Sequence, residues 1–229
     1  MLTISVLNFN GNEVLDSCLD SIVSQDLPKP NEIQLIDNKS TDGSALKAFR
    51  KYPIKYLIEE SNEHQFITGL NSSFRYAQYE HALFITQDVQ MQPGSIQSLF
   101  NLSLKYPDAI IQPVFYGTDG KVQNAGMRLY WPFYGIAQRE IYNETFYETK
   151  IVTTTAFIMT KSVFKKVGEF DTNLAPGHYE DVDYSLRANS MGIRLFVDRD
   201  SKAIHQGAES FNRVYGRKGI SKHGHKNRI

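Results

Sequence analysis

Short apolar runs at residues 3–7, 33–36 and 82–85 are each followed by polar or turn residues, the pattern of a buried strand. Between the first two, Val14, Leu15, Cys18, Leu19 and Ile22 recur at helical spacing. That predicts an amphipathic helix with Cys18 on its apolar face, a core residue and not a nucleophile. Ser40, Thr41, Asp42 and Ser44 are N-cap candidates ahead of Leu46 and Phe49. Residues 56–58 predict a further strand, and Phe74, Tyr76 and Ala77 a helix leading into the strand at 82. Strand and helix thus alternate, which predicts an α/β fold with a mostly parallel central sheet flanked by helices.

Beyond Pro93 the pattern changes. Ile96, Leu99, Phe100 and Leu104 predict a helix, and residues 109–114 a strand. Residues 115–150 are rich in Gly and Tyr with little periodicity, so hairpins or long loops are expected. Residues 151–159 predict a strand rich in β-branched side chains. Residues 161–167 and 180–191 predict helices stopped by Gly168 and Gly192. Residues 194–197 and 202–204 predict two more short strands. No linker or repeat divides the chain, so residues 1–209 are expected to form a single domain with a basic tail at 210–229.

Composition adds limits. The chain has 229 residues and a formal charge of zero. It lacks an apolar run long enough for a membrane span and a basic-then-apolar leader, so a cytoplasmic protein is expected. One cysteine excludes an internal disulfide and a Cys-rich zinc site. The neutral sum argues against nucleic-acid binding, but it is unevenly spread. Residues 210–229 hold six Lys or Arg and no acid, leaving residues 1–209 with a charge of −6. The tail reads either as a solvated end or as an arm for phosphates on a substrate or on a membrane surface, with peripheral membrane contact.

In an alternating sheet, ligands bind at the carboxyl ends of the strands. Asn8, Phe9, Asn10 and Gly11 follow the first strand, Asp37 and Asn38 the second, and Gln87 and Asp88 the strand at 82. Asp37 suits a ribose or base, or a turn. Asp88 suits a divalent ion shared with a diphosphate, or an ordinary loop. Glu180, Asp181 and Asp183 open a helix, where the dipole favours ionised carboxylates. His178 and Tyr179 form a polar entry to it. His205 suits the same ion as Asp88, or a structural role. Trp131 lies in an aromatic stretch suited to a sugar face or to a core. No phosphate loop, dinucleotide fingerprint or serine-hydrolase elbow is present.

Together and in order, these segments resemble the family 2 glycosyltransferases, which have the Rossmann-like GT-A fold with a smaller acceptor-side β region. The chain Ile4-Ser5-Val6-Leu7-Asn8-Phe9-Asn10-Gly11 resembles the family's first strand and loop. Ile36-Asp37-Asn38-Lys39-Ser40-Thr41-Asp42-Gly43-Ser44 is close to its Asp-Asn-x-Ser-x-Asp-Gly-Ser. Phe66-Ile67-Thr68-Gly69-Leu70-Asn71, Ala156-Phe157 and Glu180-Asp181-Val182-Asp183-Tyr184 match later segments. The resemblance implies an inverting transfer from a UDP-, dTDP- or GDP-linked sugar to a glycan or lipid-linked acceptor. It implies donor contacts from Asn8, Phe9, Asn10, Asp37, Asn38, Phe66 and Gln87. It places Mn²⁺ or Mg²⁺ at Asp88 and His205, with Asp181 as base. Trp131, His178, Tyr179 and Glu180 fall on the acceptor side. Residues 1–92 would be the nucleotide half and 93–209 the acceptor half.

Two positions depart from the family pattern. Thr86 stands where the metal motif has its first Asp, and Gln65 where Gly precedes Phe66. The single-acid metal motif motivates the alternative of a non-catalytic nucleotide-sugar-binding protein. A nucleotidyltransferase would carry a basic, Gly-rich first loop, which residues 8–12 lack.

Overall fold

The computed structural model describes residues 1–61, 63–130 and 134–207. Trp131 and the whole basic tail, 210–229, lie outside the described residues. The elements run β1 (Leu2–Asn8), α1 (Leu15–Val23), β2 (Asn31–Asp37), α2 (Ser44–Lys51), β3 (Tyr56–Glu59), α3 (Phe66–Arg75), β4 (His81–Thr86), β5 (Val89–Met91), α4 (Ser95–Lys105) and β6 (Ala109–Tyr116). They continue with β7 (Val122–Asn124), β8 (Met127–Tyr130), β9 (Tyr134–Ala137), β10 (Phe146–Glu148), β11 (Ala156–Thr160), α5 (Lys161–Val167), α6 (Glu180–Ser190) and β12 (Arg194–His205).

The main sheet has the order β10-β12-β6-β11-β4-β1-β2-β3, with β5 on β12 and β7 on β6. Strands β3, β2, β1 and β4 are parallel. Strand β11 enters antiparallel between β4 and β6, and β12 runs parallel to β6. Parallel pairing therefore holds in the first half, and the second half mixes directions. The β8–β9 hairpin is a separate sheet.

Alternation along β1 sends Leu2, Ile4 and Val6 to one face and Leu7 to the other. The first face packs on Leu15, Cys18, Leu19 and Ile22 of α1, Ala45 and Ala48 of α2, and Leu99 of α4. The opposite face packs on Ile67, Leu70 and Phe74 of α3, Val163 of α5, and Tyr184 and Ala188 of α6. Cys18 is fully buried, as its place in the pattern predicts.

Local expectations fail where polar residues are buried or apolar ones exposed. Helix α3 spans Phe66–Arg75, earlier than the pattern suggests, because its buried face includes Gly69, Asn71, Ser72 and Ser73. Leu46 and Phe49 are largely exposed on α2, whose buried side is Ser44, Ala45 and Ala48. The strand expected at 151–159 is only β11. Upstream, Val152 N–H donates to Ser185 Oγ and Thr153 N–H to Gln112 Oε1, so side chains replace the ladder. The two strands expected at 194–197 and 202–204 are one strand, with a register shift between Asp198 and Lys202.

Candidate active site

Asn8 ends β1 directly opposite Asp37, which ends β2. The Asn8 Nδ2 group donates to Asp37 Oδ1 at 2.7 Å and to Ser44 Oγ at 2.9 Å. Asp37 also accepts from the Ser40 amide and hydroxyl, at 2.9 and 2.6 Å. Asn10, in the left-handed region at φ 49°, accepts the Thr41 amide at 2.8 Å. The two loops are thus tied together by side chains, and Asp37 is fixed before any ligand arrives.

Gln87 faces the same loop from β4. Phe9 N–H donates to Gln87 Oε1 at 2.7 Å, and Gln87 Nε2 donates to Phe9 O at 2.9 Å. This two-point clamp leaves no room for a side chain at residue 11. A Cβ on Gly11 would lie 2.3 Å from Asn8 Oδ1 and 2.6 Å from Gln87 Oε1. Gln87, expected as a donor contact, holds the Phe9 backbone at both its N–H and its carbonyl. Asn38 Nδ2 donates to the Gln65 carbonyl at 2.7 Å, which joins the second loop to the start of α3. Phe66, the first residue of α3, packs its ring edge against Phe84 of the core.

Asp88 and His205 meet. Residue 205 pairs with Val89 across β12 and β5, and His205 Nε2 lies 3.4 Å from Asp88 Oδ2. Thr86 Oγ1 donates to Asp88 Oδ1 at 2.7 Å. Burial works against ionisation of Asp88, but the His205 and Thr86 hydrogen bonds outweigh it and hold its carboxyl below the ordinary value. His205 Nδ1 is 3.2 Å from Gln123 Oε1. With a cation bound in place of the His205–Asp88 hydrogen bond, a proton on Nδ1 would satisfy the Gln123 contact and free the Nε2 lone pair for the ion. Two ligands on adjacent corners of an octahedral ion at about 2.1 Å stand about 3 Å apart, so the pair fits such an ion. Among the described residues, no group of three or more His, Cys, Asp or Glu could hold a metal. Further ligands would have to come from a bound phosphate or water.

Helix α6 opens after Gly177, His178 and Tyr179, all at positive φ (139°, 71° and 74°). Two non-glycine residues in that region mark stored strain, a feature concentrated at functional sites. Glu180 is buried and accepts the Thr154 hydroxyl at 2.7 Å. The next residue, Thr155, accepts the Thr86 amide, two residues from Asp88. Asp181 keeps an edge open while protein crowds the rest of it, and its Oδ1 accepts the Val182 amide. Burial, then the Glu180 charge, pushes the Asp181 carboxyl well above its ordinary value. The helix dipole therefore does not dominate here, contrary to the sequence-based expectation. Glu180 and Asp183, neighbours by spacing, serve different partners. Asp183 pairs with Arg187 at 2.7 Å, and Arg187 also caps the Val167 and Glu169 carbonyls.

The structure brings Asn8, Phe9, Asn10, Asp37, Asn38, Gln87, Asp88 and His205 to one end of the sheet. Glu180 is connected to that end through residues 154 and 155. Three contributors were not singled out by sequence as site residues. Ser40 and Ser44 fix Asn8 and Asp37, and Gln123 orients His205 from a stretch without periodicity. Only the serines carried a signal, as helix N-cap candidates within the family-like segment.

This α/β frame, with polar residues gathered at the carboxyl ends of its strands, belongs to the class of open sheets that bind ligands there. Residues 3–168 match the family model described as glycosyl transferase family 2, and the chain belongs to that family. The match stops short of α6 and His205. The chain is 28% identical over 126 residues to a poly(ribitol-phosphate) beta-glucosyltransferase of Bacillus spizizenii, covering 52% of this chain and 20% of that protein. It is 22% identical over 212 residues to the O-antigen biosynthesis protein RfbC of Myxococcus xanthus, 86% of this chain and 16% of that protein. The chain thus spans under a quarter of the length of these two relatives. A third is an N-acetylglucosaminyl-diphospho-decaprenol L-rhamnosyltransferase of Mycobacterium tuberculosis, 21% identical over 81% of this chain and 69% of that protein. Among solved structures, GalNAc-T7 with UDP, GalNAc and Mn²⁺ superposes with a TM-score of 0.76 at 15% identity, covering 90% of this chain and 43% of that one. S. aureus TarS 1-349 in complex with UDP gives 0.66 at 19% identity, covering 93% and 63%. These likenesses establish the GT-A glycosyltransferase fold.

Proposed function

We propose that the chain moves a sugar from a nucleoside-diphosphate sugar to a hydroxyl of a glycan or lipid-linked saccharide, with inversion at the anomeric carbon. The observation that carries this reading is the gathering of Asp37, Asp88 and His205 at one end of the sheet, with Glu180 tied to that end through Thr154 and Thr155. The similarity to a poly(ribitol-phosphate) beta-glucosyltransferase and to an N-acetylglucosaminyl-diphospho-decaprenol L-rhamnosyltransferase supports it. Residues 1–92 would bind the nucleotide and residues 93–209 the acceptor.

Phe9 and Asp37 receive the nucleoside, with Asn8 and Asn10 holding their loops in place and Phe66 and Asn38 closing the side. Asp88 and His205 would hold Mn²⁺ or Mg²⁺, which supplies positive charge against the diphosphate. Asp181 removes the proton from the acceptor hydroxyl as that oxygen attacks the anomeric carbon. The bond to the diphosphate breaks on the opposite face, and its electron pair stays on the departing oxygen. A carboxylate with a raised pKa is a stronger base than an ordinary one. His178 and Tyr179 border the acceptor side, and Trp131 is assigned there too.

A thermal-shift screen of UDP-, dTDP- and GDP-sugars, each with and without Mn²⁺, tests the donor site. A ligand that binds only the folded state must raise the midpoint, because it adds about 2.7 kcal/mol of stability at a hundred times Kd. One class of sugar nucleotide is expected to shift it, more so with Mn²⁺, and no shift with any of them refutes the donor assignment. A second reading, binding without turnover, is favoured by Thr86, whose hydroxyl takes the place of a second acid beside Asp88. Absence of both transfer and slow donor hydrolysis in the presence of bound donor would select it.

A further inference from the structure

Strand β3 ends the main sheet, and among the described residues nothing pairs with its outer edge. The Lys55 amide points inward and donates to Ile33 O at 2.8 Å. Backbone groups alternate along a strand, so the N–H and C=O groups of Tyr56 and Ile58 point outward, away from β2. Such an edge is a template for another strand, and charged residues on it often serve only to blunt it. Here the charges follow an order that blunting does not require. Lys55 and Glu59 carry opposite signs at equal distance from Leu57, with Tyr56 and Ile58 between. Lys55 also meets Glu32 at 3.4 Å, yet half of its side chain stays in solvent. A second copy of β3, laid antiparallel with Leu57 on a two-fold axis, sets Lys55 against Glu59 and Tyr56 against Ile58, each twice. Tyr56 and Ile58 then form hydrogen-bonded pairs, each exchanging two bonds. A shift of two residues would set Leu57 against Lys55 or Glu59, and a shift of one would oppose outward to inward backbone groups.

Helix α2 packs on β2 beside this edge. Lys47 and Lys51 pair with Asp16 of α1 on one flank, and Ser44, Ala45 and Ala48 are buried beneath. By the 3.6-residue period, Phe49 lies roughly 180° around the helix from the middle of Lys47 and Lys51, on the flank toward β3. Phe49 and Leu46 are 41% and 52% exposed, and Leu57 packs on the core cluster that holds Ala45 and Ala48. A two-fold axis normal to the sheet brings the second α2 against this flank. The same axis that pairs the strands thus covers the apolar side chains that α2 leaves in solvent.

We infer that two copies of this chain join their sheets edge to edge at β3, as a two-fold homodimer with Leu57 on its axis. The strands of the two copies run in opposite directions across the join, so the carboxyl ends of the two parallel halves open on opposite sides of the dimer. The inference goes beyond the transfer reading and stands or falls without it.

Light scattering after gel filtration of the full chain reads its mass directly. At about 100 μM, a hundredfold above a micromolar Kd, wild type is expected to have the mass of two chains. Glu59→Lys sets like charges opposite Lys55 at both ends of the join, and Phe49→Glu places a charge on each side between the two α2 helices. Each is expected to weaken the dimer by about tenfold or more, while its circular dichroism stays that of a folded chain. Leu57→Cys tests the register. On the axis its two Cα atoms would stand about 4.5 Å apart, within reach of a disulfide. Mild oxidation should give a covalent dimer that a thiol reverses, whereas Asn101→Cys, exposed on α4, should stay uncrosslinked; the native Cys18 is fully buried. A wild type that has the mass of one chain at this concentration overturns the inference. So does a dimer that both charge variants leave intact, or one in which Leu57→Cys crosslinks no faster than Asn101→Cys. Should a charge variant unfold, the comparison of the two cysteine variants decides alone.

Discussion

Asp181 shows how one residue ties stability to chemistry. Burial and the Glu180 charge lift its carboxyl to about 7, so between that value and the ordinary one near 4 the folded state holds a proton that the unfolded state has lost. The folded state binds more protons there, so this group's contribution to stability falls as pH rises from about 4 to 7. Asp181→Asn should remove that slope. We expect the variant to melt higher than wild type at pH 8, by roughly 1 kcal/mol or more, about 2–4 °C in a chain this size. The gain should vanish near pH 4. Transfer should fall by about 10²–10⁴-fold, the usual worth of a positioned base. The wild-type rate should climb with pH through about 7, and a flat profile would remove Asp181 from that role. Gln65 is a further strained position, at φ 51° and ψ −125°, a region suited to glycine. The sequence shows only that Gln stands where relatives have Gly; the backbone shows that the glycine conformation persists. Gln65→Gly should therefore stabilise the fold by about 1 kcal/mol, read as a rise in Tm.

At the scale of elements, what could be read in advance followed from periodicity. Helices α1, α5 and α6 and strands β1, β2 and β4 showed their period in apolar residues, and the polar ends of those strands pointed to Asp37 and Asp88. Helix α3 did not, because half its buried face is Gly, Asn and Ser held by hydrogen bonds such as Asn71 to the Phe170 backbone. The meeting of Asp88 with His205 needs β12 to run unbroken past its bulge, and no local pattern reports that. Gln123 acts across 82 residues of sequence and was equally silent. The loop after β1 offers a test at this scale. Gly11→Ala would force apart Asn8 and Gln87, and the flexible partner to yield is Gln87, which clamps Phe9. Overpacking of this kind typically costs about 1–3 kcal/mol. The variant should melt lower and bind nucleoside diphosphate more weakly, whereas Gly120→Ala, with no atom within 4 Å of the added Cβ, should leave nucleotide binding unchanged.

At the scale of the whole molecule, the zero net charge is the balance of a −6 body and a +6 tail. No helix among the described residues is long and apolar enough to cross a membrane. Strand β12 ends at His205, so the chain enters its basic segment within a few residues of the proposed diphosphate corner. Six cations tethered that close to a dianionic ligand would raise its local concentration, and salt would screen the effect over about 10 Å at 0.1 M. Deleting residues 213–229 removes all six charges and leaves every described residue in place. We expect the truncated chain to bind UDP several-fold more weakly at 50 mM salt and to differ little from the full chain at 500 mM. Its affinity should consequently change less with salt. A contribution confined to the acceptor would leave UDP titrations superimposable and raise only the KM for a phosphate-linked acceptor, again with the difference erased by salt. Identical titrations and identical kinetics at both salt concentrations would show that the tail's charge serves neither ligand.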